Sequence, residues 1–208
     1  MSIVVRSNQP MASAPLGAPF APGRALYRAV FGAGDTSNLV GTQTGEVAGG
    51  SIGTWQGTPN GLAVSGGSVV RGSATGTSFI GLPILGAGAN MSWIFRTLPT
   101  ASAVYLDLFR DINGGGAPDS YRLEVMGTTA RLMKREGGAL SYLGSSFSVA
   151  AGQRLGIRWV GGLLVATVND AVVSQVLIST IPAVGYAGIA LAAGTLGFAI
   201  DNMEIDVY

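Results

Sequence analysis

From Ala25 onward, short apolar runs alternate with turn-forming residues at spacings of about 8–12 positions, the mark of a sandwich or barrel of antiparallel strands. Asn90–Arg96 sets Met91, Trp93 and Phe95 on one face. Ser102–Arg110 sets Val104, Leu106 and Leu108 inward, against Tyr105, Asp107 and Phe109. Tyr121–Val125 alternates Tyr121, Leu123 and Val125 with Arg122 and Glu124, and Arg154–Val160 alternates Leu155, Ile157 and Trp159 with Arg154 and Arg158. Period-2 patterning of this kind means half-buried strands whose apolar parity decides their register. It puts Trp93 and Trp159 in the core.

The connections agree. Gly161-Gly162 and Asn169-Asp170 are two-residue hairpin turns of residue types that accept positive φ, and Gly137-Gly138 closes a third hairpin. Asn113-Gly114-Gly115-Gly116 opens a longer loop. No segment has helical period with caps, and no internal repeat exceeds a hairpin. Ala171–Ile200 contains no charged residue, but Pro182 and Gly185, Gly188, Gly194 and Gly197 interrupt it. Two strands describe it better than a membrane-spanning helix, which needs ~20 predominantly apolar residues.

Residues 1–24 differ in character. Pro10, Pro15, Pro19 and Pro22 stand among small residues, a spacing that favours an extended arm. Such an arm is either a disordered tail or a strap docked on a neighbour. The expected organisation is an arm over 1–24 and one all-β, antiparallel β-sandwich over 25–208.

Composition narrows the chemistry. The chain has 33 Gly in 208 residues, which suits tight turns and disfavours helices. It has no Cys and no His, so disulfides, thiolate nucleophiles, imidazole bases and imidazole or thiolate metal ligands are excluded. A net charge of +1 offers no general attraction for nucleic acid or anionic lipid. Lys134 is the single lysine against eleven Arg, a bias that points to a high-GC coding source. The first ten residues lack the basic start and apolar core of a signal peptide.

Gly152–Gly161 followed by Leu164–Asp170 resembles the central hairpin of the concanavalin A-like lectin/glucanase superfamily, in its laminin-G-like branch. Gly185–Leu191 and then Phe198–Asn202 resemble its closing strands, which often end in an Asp-Asn pair. The part upstream, with Trp55 and Gly61–Ser65, fits more loosely. The resemblance covers about two-thirds of the chain, and its motifs specify a jelly-roll fold better than an activity. Similar modules without signal peptide or cysteine and with a Pro-rich arm are found in tail or head proteins of actinobacterial phages. That resemblance implies a virion protein, attached to other virion proteins through its arm, homo-oligomeric, and adhering to host-surface glycan. A mean hydropathy of +0.43 suits a protein that buries surface in an assembly. The alternatives are a free-standing bacterial carbohydrate-binding module and a glycoside hydrolase or lyase.

Three sets of residues carry candidate chemistry. Glu204-Ile205-Asp206 resembles the start of the Glu-Ile-Asp-x-Glu motif of laminarinase-like members, but the second Glu is absent. Retaining hydrolysis needs two carboxyl groups ~5 Å apart, so no catalytic role is expected there and the chain is read as a non-enzyme. Asp111, Asn113 and Asp119 place oxygen ligands in one loop, which calcium favours, as some members of the superfamily hold; otherwise Asx-Gly loops are plain turns, and no other cofactor is implied. Tyr105, Asp107, Phe109, Arg122, Glu124, Arg131 and Arg158 are expected on one sheet face, with Trp55 partly exposed in its Gly- and Thr-rich stretch. Aromatic rings beside planar hydrogen-bonding forks are what a sugar needs. The alternative is that the charges only solvate that face while the aromatics pack against a neighbouring layer or subunit.

Overall fold

A computed structural model describes residues 26–29, 35–39, 45–46, 55–57, 59–74, 77–86, 88–109, 119–160, 162–178 and 184–207. Residues 1–24, the expected arm, lie outside the described residues, as do Asp111 and Asn113. In chain order the first strands are β1 (Leu26–Ala29), β2 (Gly45–Glu46), β3 (Gln56–Gly57), β4 (Leu62–Ser65), β5 (Ser68–Arg71), β6 (Thr77–Gly86), β7 (Gly88–Thr97) and β8 (Val104–Phe109). They are followed by β9 (Ser120–Met126), β10 (Thr129–Glu136), β11 (Ala139–Ser148), β12 (Arg154–Val160), β13 (Leu163–Val168), β14 (Ala171–Leu177), β15 (Val184–Leu191) and β16 (Ala199–Val207). No helix occurs among the described residues.

The strands form two antiparallel sheets. The first runs β14-β13-β12-β7-β16-β1-β2, with β5 also pairing β16 and β4 pairing β5; the second runs β11-β10-β9-β8-β15-β6-β3. Two of the three expected hairpin turns are seen in full, and Gly161 of the third lies outside the described residues. Asn169 and Asp170 both take positive φ (49° and 67°), as do Gly137 and Gly138 (55° and 84°), the geometry a two-residue hairpin demands. The uncharged stretch after Ala171 is β14, β15 and the start of β16, and no helix of the described residues is long and apolar enough to cross a membrane.

The core lies between the sheets. Met91, Trp93, Phe95, Leu155, Ile157, Met203 and Ile205 of the first sheet face Val104, Leu106, Leu108, Tyr121, Leu123 and Val125 of the second, all fully buried in one apolar cluster. Tyr121 and Trp159 meet across the layers with ring centroids 6.1 Å apart. Each buried side chain of this size contributes about 1.5–3 kcal/mol relative to exposure. Parity read from the sequence therefore assigns these inner positions correctly.

Trp55 corrects one expectation. Its ring is 1% exposed and stands 6.0 Å from Trp93, tilted by 43°. Glycine and threonine around it suggest openness, but Gln56 and Gly57 pair with Phe79 and Ser78 of β6, and that pairing holds the indole in the core. Trp55→Ala is expected to lower the unfolding free energy by about 3–5 kcal/mol in urea denaturation, and a loss below about 1 kcal/mol would place the ring at the surface instead.

Candidate functional site

The outward face of the second sheet collects most of the residues that strand parity selects. Two hairpins set its register. Gly127, at φ 56°, begins the tight turn that joins β9 to β10 and pairs Glu124 with Arg131, Arg122 with Met133 and Ser120 with Arg135. The Gly137-Gly138 turn pairs Met133 with Tyr142 on β11. On the other side, β8 sets Tyr105 beside Glu124, Asp107 beside Arg122 and Phe109 beside Ser120. Cross-strand partners share a face. So Tyr105, Asp107, Arg122, Glu124, Arg131, Arg135 and Tyr142 project to one side, opposite the Leu106, Leu123 and Leu132 of the core.

These residues form two tiers. Asp107, Ser120, Arg122, Glu124 and Met133 are buried, although they point away from the core; Asp107 is 0% exposed. Above them, Tyr105, Arg131 and Arg135 are half-buried and Tyr142 is exposed. The Arg122 guanidinium donates from one terminal nitrogen to Asp107 Oδ2 at 2.7 Å and from Nε to Ser120 Oγ at 3.1 Å. Its Cζ lies 4.7 Å from the centre of the Tyr105 ring. Arg131 Nε donates to Glu124 Oε2 at 2.6 Å, and its Cζ lies 3.3 Å from the centre of the Tyr142 ring. Each arginine thus ties one carboxylate below to one tyrosine above. A cation over an aromatic face and a charge-assisted hydrogen bond both favour the one geometry seen.

The buried tier is electrostatically expensive. Burial pushes the Asp107 carboxyl up to about 6, against the opposing pull of the Arg122 charge, the Arg122 hydrogen bond and the Arg135 charge. Asp107 Oδ1 is out of water and accepts no hydrogen bond. Burial raises the Tyr105 phenol, and the Glu124 carboxylate raises it further. Burial lowers Arg135, and repulsion from Arg122 adds to that. Arg135 Nε is buried without an acceptor.

Two expected members, Arg158 and Trp55, stand elsewhere. Arg158 lies on the first sheet, in register with Asn90 and Val165, so it cannot join a face made by the second; similar polar alternation in β9 and β12 hides the fact that the two strands belong to different layers. Trp55 is in the core. The backbone of Phe109 continues the row of Tyr105 and Asp107. Glu204 and Asp206 belong to the outward side of the first sheet, where Arg154 donates to Glu204 Oε2 at 2.7 Å and Asn90 Nδ2 donates to Asp206 Oδ2 at 3.4 Å. Asp119 Oδ1 accepts the Gly137 N–H at 2.8 Å, tying down the β10–β11 turn. Among the described residues no group of three or more His, Cys, Asp or Glu side chains is placed to hold a metal ion; Asp111 and Asn113 of the expected calcium loop lie outside the described residues.

Sequence reasoning missed Arg135 and Tyr142. Arg135 shares the parity of Arg131, and counting across the Gly137-Gly138 turn brings Tyr142 opposite Met133. Both signals are present in the sequence.

No protein-family model and no curated protein sequence matches the chain. Solved structures do match its fold. The Emp47p carbohydrate recognition domain superposes with a TM-score of 0.53 at 17% identity, covering 83% of this chain and 94% of that one. The exoplasmic/lumenal domain of VIP36 in its Ca2+/Man2-bound form gives 0.56 at 13% identity, covering 88% of each chain. A native glycosidic hydrolase gives 0.56 at 11% identity, covering 92% and 98%. The chain therefore has the lectin-like jelly-roll sandwich common to carbohydrate-binding domains and to some hydrolases.

Asp107 makes stability pH-dependent. It binds its proton more tightly in the folded chain (about 6) than at the ordinary value of 3.8. Its contribution is thus fully present below about pH 4 and lost as pH rises through about 6, a change of about 3 kcal/mol. The difference in unfolding free energy between wild type and Asp107→Asn, measured in urea from pH 4 to 7, is expected to fall over that window; a flat difference would put the carboxyl at its ordinary value. Arg122→Ala strands Asp107 and is expected to cost about 3–5 kcal/mol.

Proposed function

We propose that this chain is a glycan-binding module, and that its ligand lies on the outward face of the second sheet across Tyr142 and Tyr105. The observation that carries this reading is the pair of tyrosines held by arginines over buried carboxylates. A sugar presents C–H faces to aromatic rings and hydroxyls to fixed donors and acceptors, and rings already held in place lose little freedom on binding. Proteins of the same fold include a carbohydrate recognition domain and a Ca2+/Man2-bound domain. Those likenesses support the reading through fold alone.

The face is arranged for binding rather than bond cleavage. Glu124 is engaged by Arg131 and Asp107 by Arg122, so neither carboxylate is held ready as acid or nucleophile. A phenol raised above its ordinary value, as at Tyr105, stays protonated and makes a poor base. Glu204 is occupied by Arg154 on the other sheet.

The setting we infer is a phage virion, where the module would adhere to host-surface glycan and residues 1–24 would join it to other virion proteins. This rests on the resemblance of the sequence to tail and head modules. Support comes from β11 and β14, the end strands of the two sheets, which contain no charged residue and expose Leu140, Val172, Val173 and Leu177. Edge strands without charges are suited to contact with a neighbouring subunit. In light scattering the chain is expected to be a trimer or another closed oligomer, and a monomer at micromolar concentration would remove the homo-oligomeric part of the reading.

Purified protein tested against bacterial surface polysaccharides is expected to bind without releasing reducing ends or unsaturated products. Tyr142→Ala should weaken binding roughly tenfold or more while leaving the melting temperature within a few degrees, the loss expected of one stacking ring. Glu204→Gln with Asp206→Asn should leave binding unchanged. Product release abolished by that double substitution would make the chain an enzyme.

A further inference from the structure

Among the described residues the outward face of the second sheet has three guanidinium groups, Arg122, Arg131 and Arg135, against two carboxylates, Asp107 and Glu124. Arg122 is paired with Asp107 and Arg131 with Glu124. Among the described residues Arg135 makes no ion pair, although the Asp107 charge acts on it, and its Nε is buried without an acceptor. The acceptors nearest in register are engaged by Arg122, except Asp107 Oδ1, which is buried and makes no hydrogen bond. Ser120, its partner across β9, takes the Arg122 Nε, and Asp107 Oδ2 takes an Arg122 terminal nitrogen. The positive charge left over on the face is therefore concentrated at Arg135, beside a second guanidinium that repels it. A guanidinium only donates hydrogen bonds, and a desolvated N–H with no acceptor is a cost that a bound acceptor removes.

Building on the glycan reading of this face, we propose that the sugar it takes is acidic, a uronate whose carboxylate is received by Arg135 while its ring rests on Tyr142. The planar guanidinium fork matches a carboxylate with two parallel hydrogen bonds, and a hydroxyl would supply an acceptor without the compensating charge. The spacing fits. Tyr142 is in register with Met133, two residues before Arg135 on the same face, about 7 Å along the strand, so one sugar can meet both side chains. On the first sheet Arg96 is paired with Asp201 and Arg154 with Glu204, and Arg158, whose Nε also lacks an acceptor, has another partner.

Titration calorimetry of the full chain tests this with oligosaccharides of polygalacturonate, alginate and hyaluronan, each beside its carboxyl-reduced counterpart. Wild type is expected to bind at least one acidic series and to bind the reduced form of that series roughly tenfold or more weaker, the size of a lost charge-assisted pair. Arg135→Gln should bring the acidic form to the level of the reduced one, and Arg135→Lys, which keeps the charge without the fork, should fall between. Arg96→Gln should change nothing. Unchanged near-ultraviolet circular dichroism separates lost binding from lost fold. Equal binding of acidic and reduced forms, or binding of neutral glycans only, would overturn the acidic ligand while leaving the glycan reading intact. No binding to either series or to neutral glycans would overturn both.

Discussion

Two sheets can share a dry core only if every strand turns its apolar parity the same way, and that constraint organises the whole chain. Met91, Trp93 and Phe95 face one way and Leu106, Leu108 and Leu123 the other, so the residues between them must point out. On the second sheet those in-between residues are Tyr105, Asp107, Arg122, Glu124 and Arg131. They are not placed there one at a time. They arrive together because the core takes their neighbours, and two short turns, at Gly127 and at Gly137-Gly138, fix which of them lie side by side. A one-residue slip in β9 would put Arg122 in the core and Leu123 on the face.

What distinguishes this face is that its charged tier is buried. An ordinary solvated sheet face keeps its charges in water, where ion pairs contribute little. Here Asp107 and Arg122 have left water together, and the pair is held by geometry: a 2.7 Å bond, a serine accepting the other nitrogen and a tyrosine ring alongside the cation. Such a pair is a poor source of stability, because desolvation of both ions offsets their attraction. Its effect is positional. With Arg122 and Arg131 fixed from below, the rings of Tyr105 and Tyr142 have defined orientations, and a surface with defined orientations can select among ligands.

The sequence shows the architecture more clearly than the site, for a physical reason. Alternation within one strand is local, so the inner positions of β7, β8, β9 and β12 can be read directly. Which strands are neighbours is not local. Arg158 alternates with Trp159 as Arg122 alternates with Leu123, yet β12 pairs with β7 and β9 with β8, and the two arginines end on opposite outer surfaces. Trp55 shows a second limit. Its neighbours in sequence are small and polar, but its burial is decided by β6, more than twenty residues later. Arg135 and Tyr142 show the opposite case, since turn geometry and counting are enough to place both.

The same logic separates the two acidic sets of the molecule. Glu204 and Asp206 share a parity on β16, which is why their spacing suggests a cleft, but the surface they reach is the outer side of the first sheet, where Arg154 and Asn90 already engage them. Pairing there leaves Asp206 Oδ1 and Arg158 Nε buried without a hydrogen bond, although both residues have other partners. On the second sheet Arg135 Nε and Asp107 Oδ1 are likewise left over, and there, among the described residues, the guanidinium makes no ion pair. Unpaired polar atoms removed from water are rare in folded chains because nothing compensates their lost hydration. Two of them on the strands either side of β9, beside an exposed tyrosine, mark a place where the fold leaves hydrogen-bonding capacity unused, and a polar ligand is what would use it.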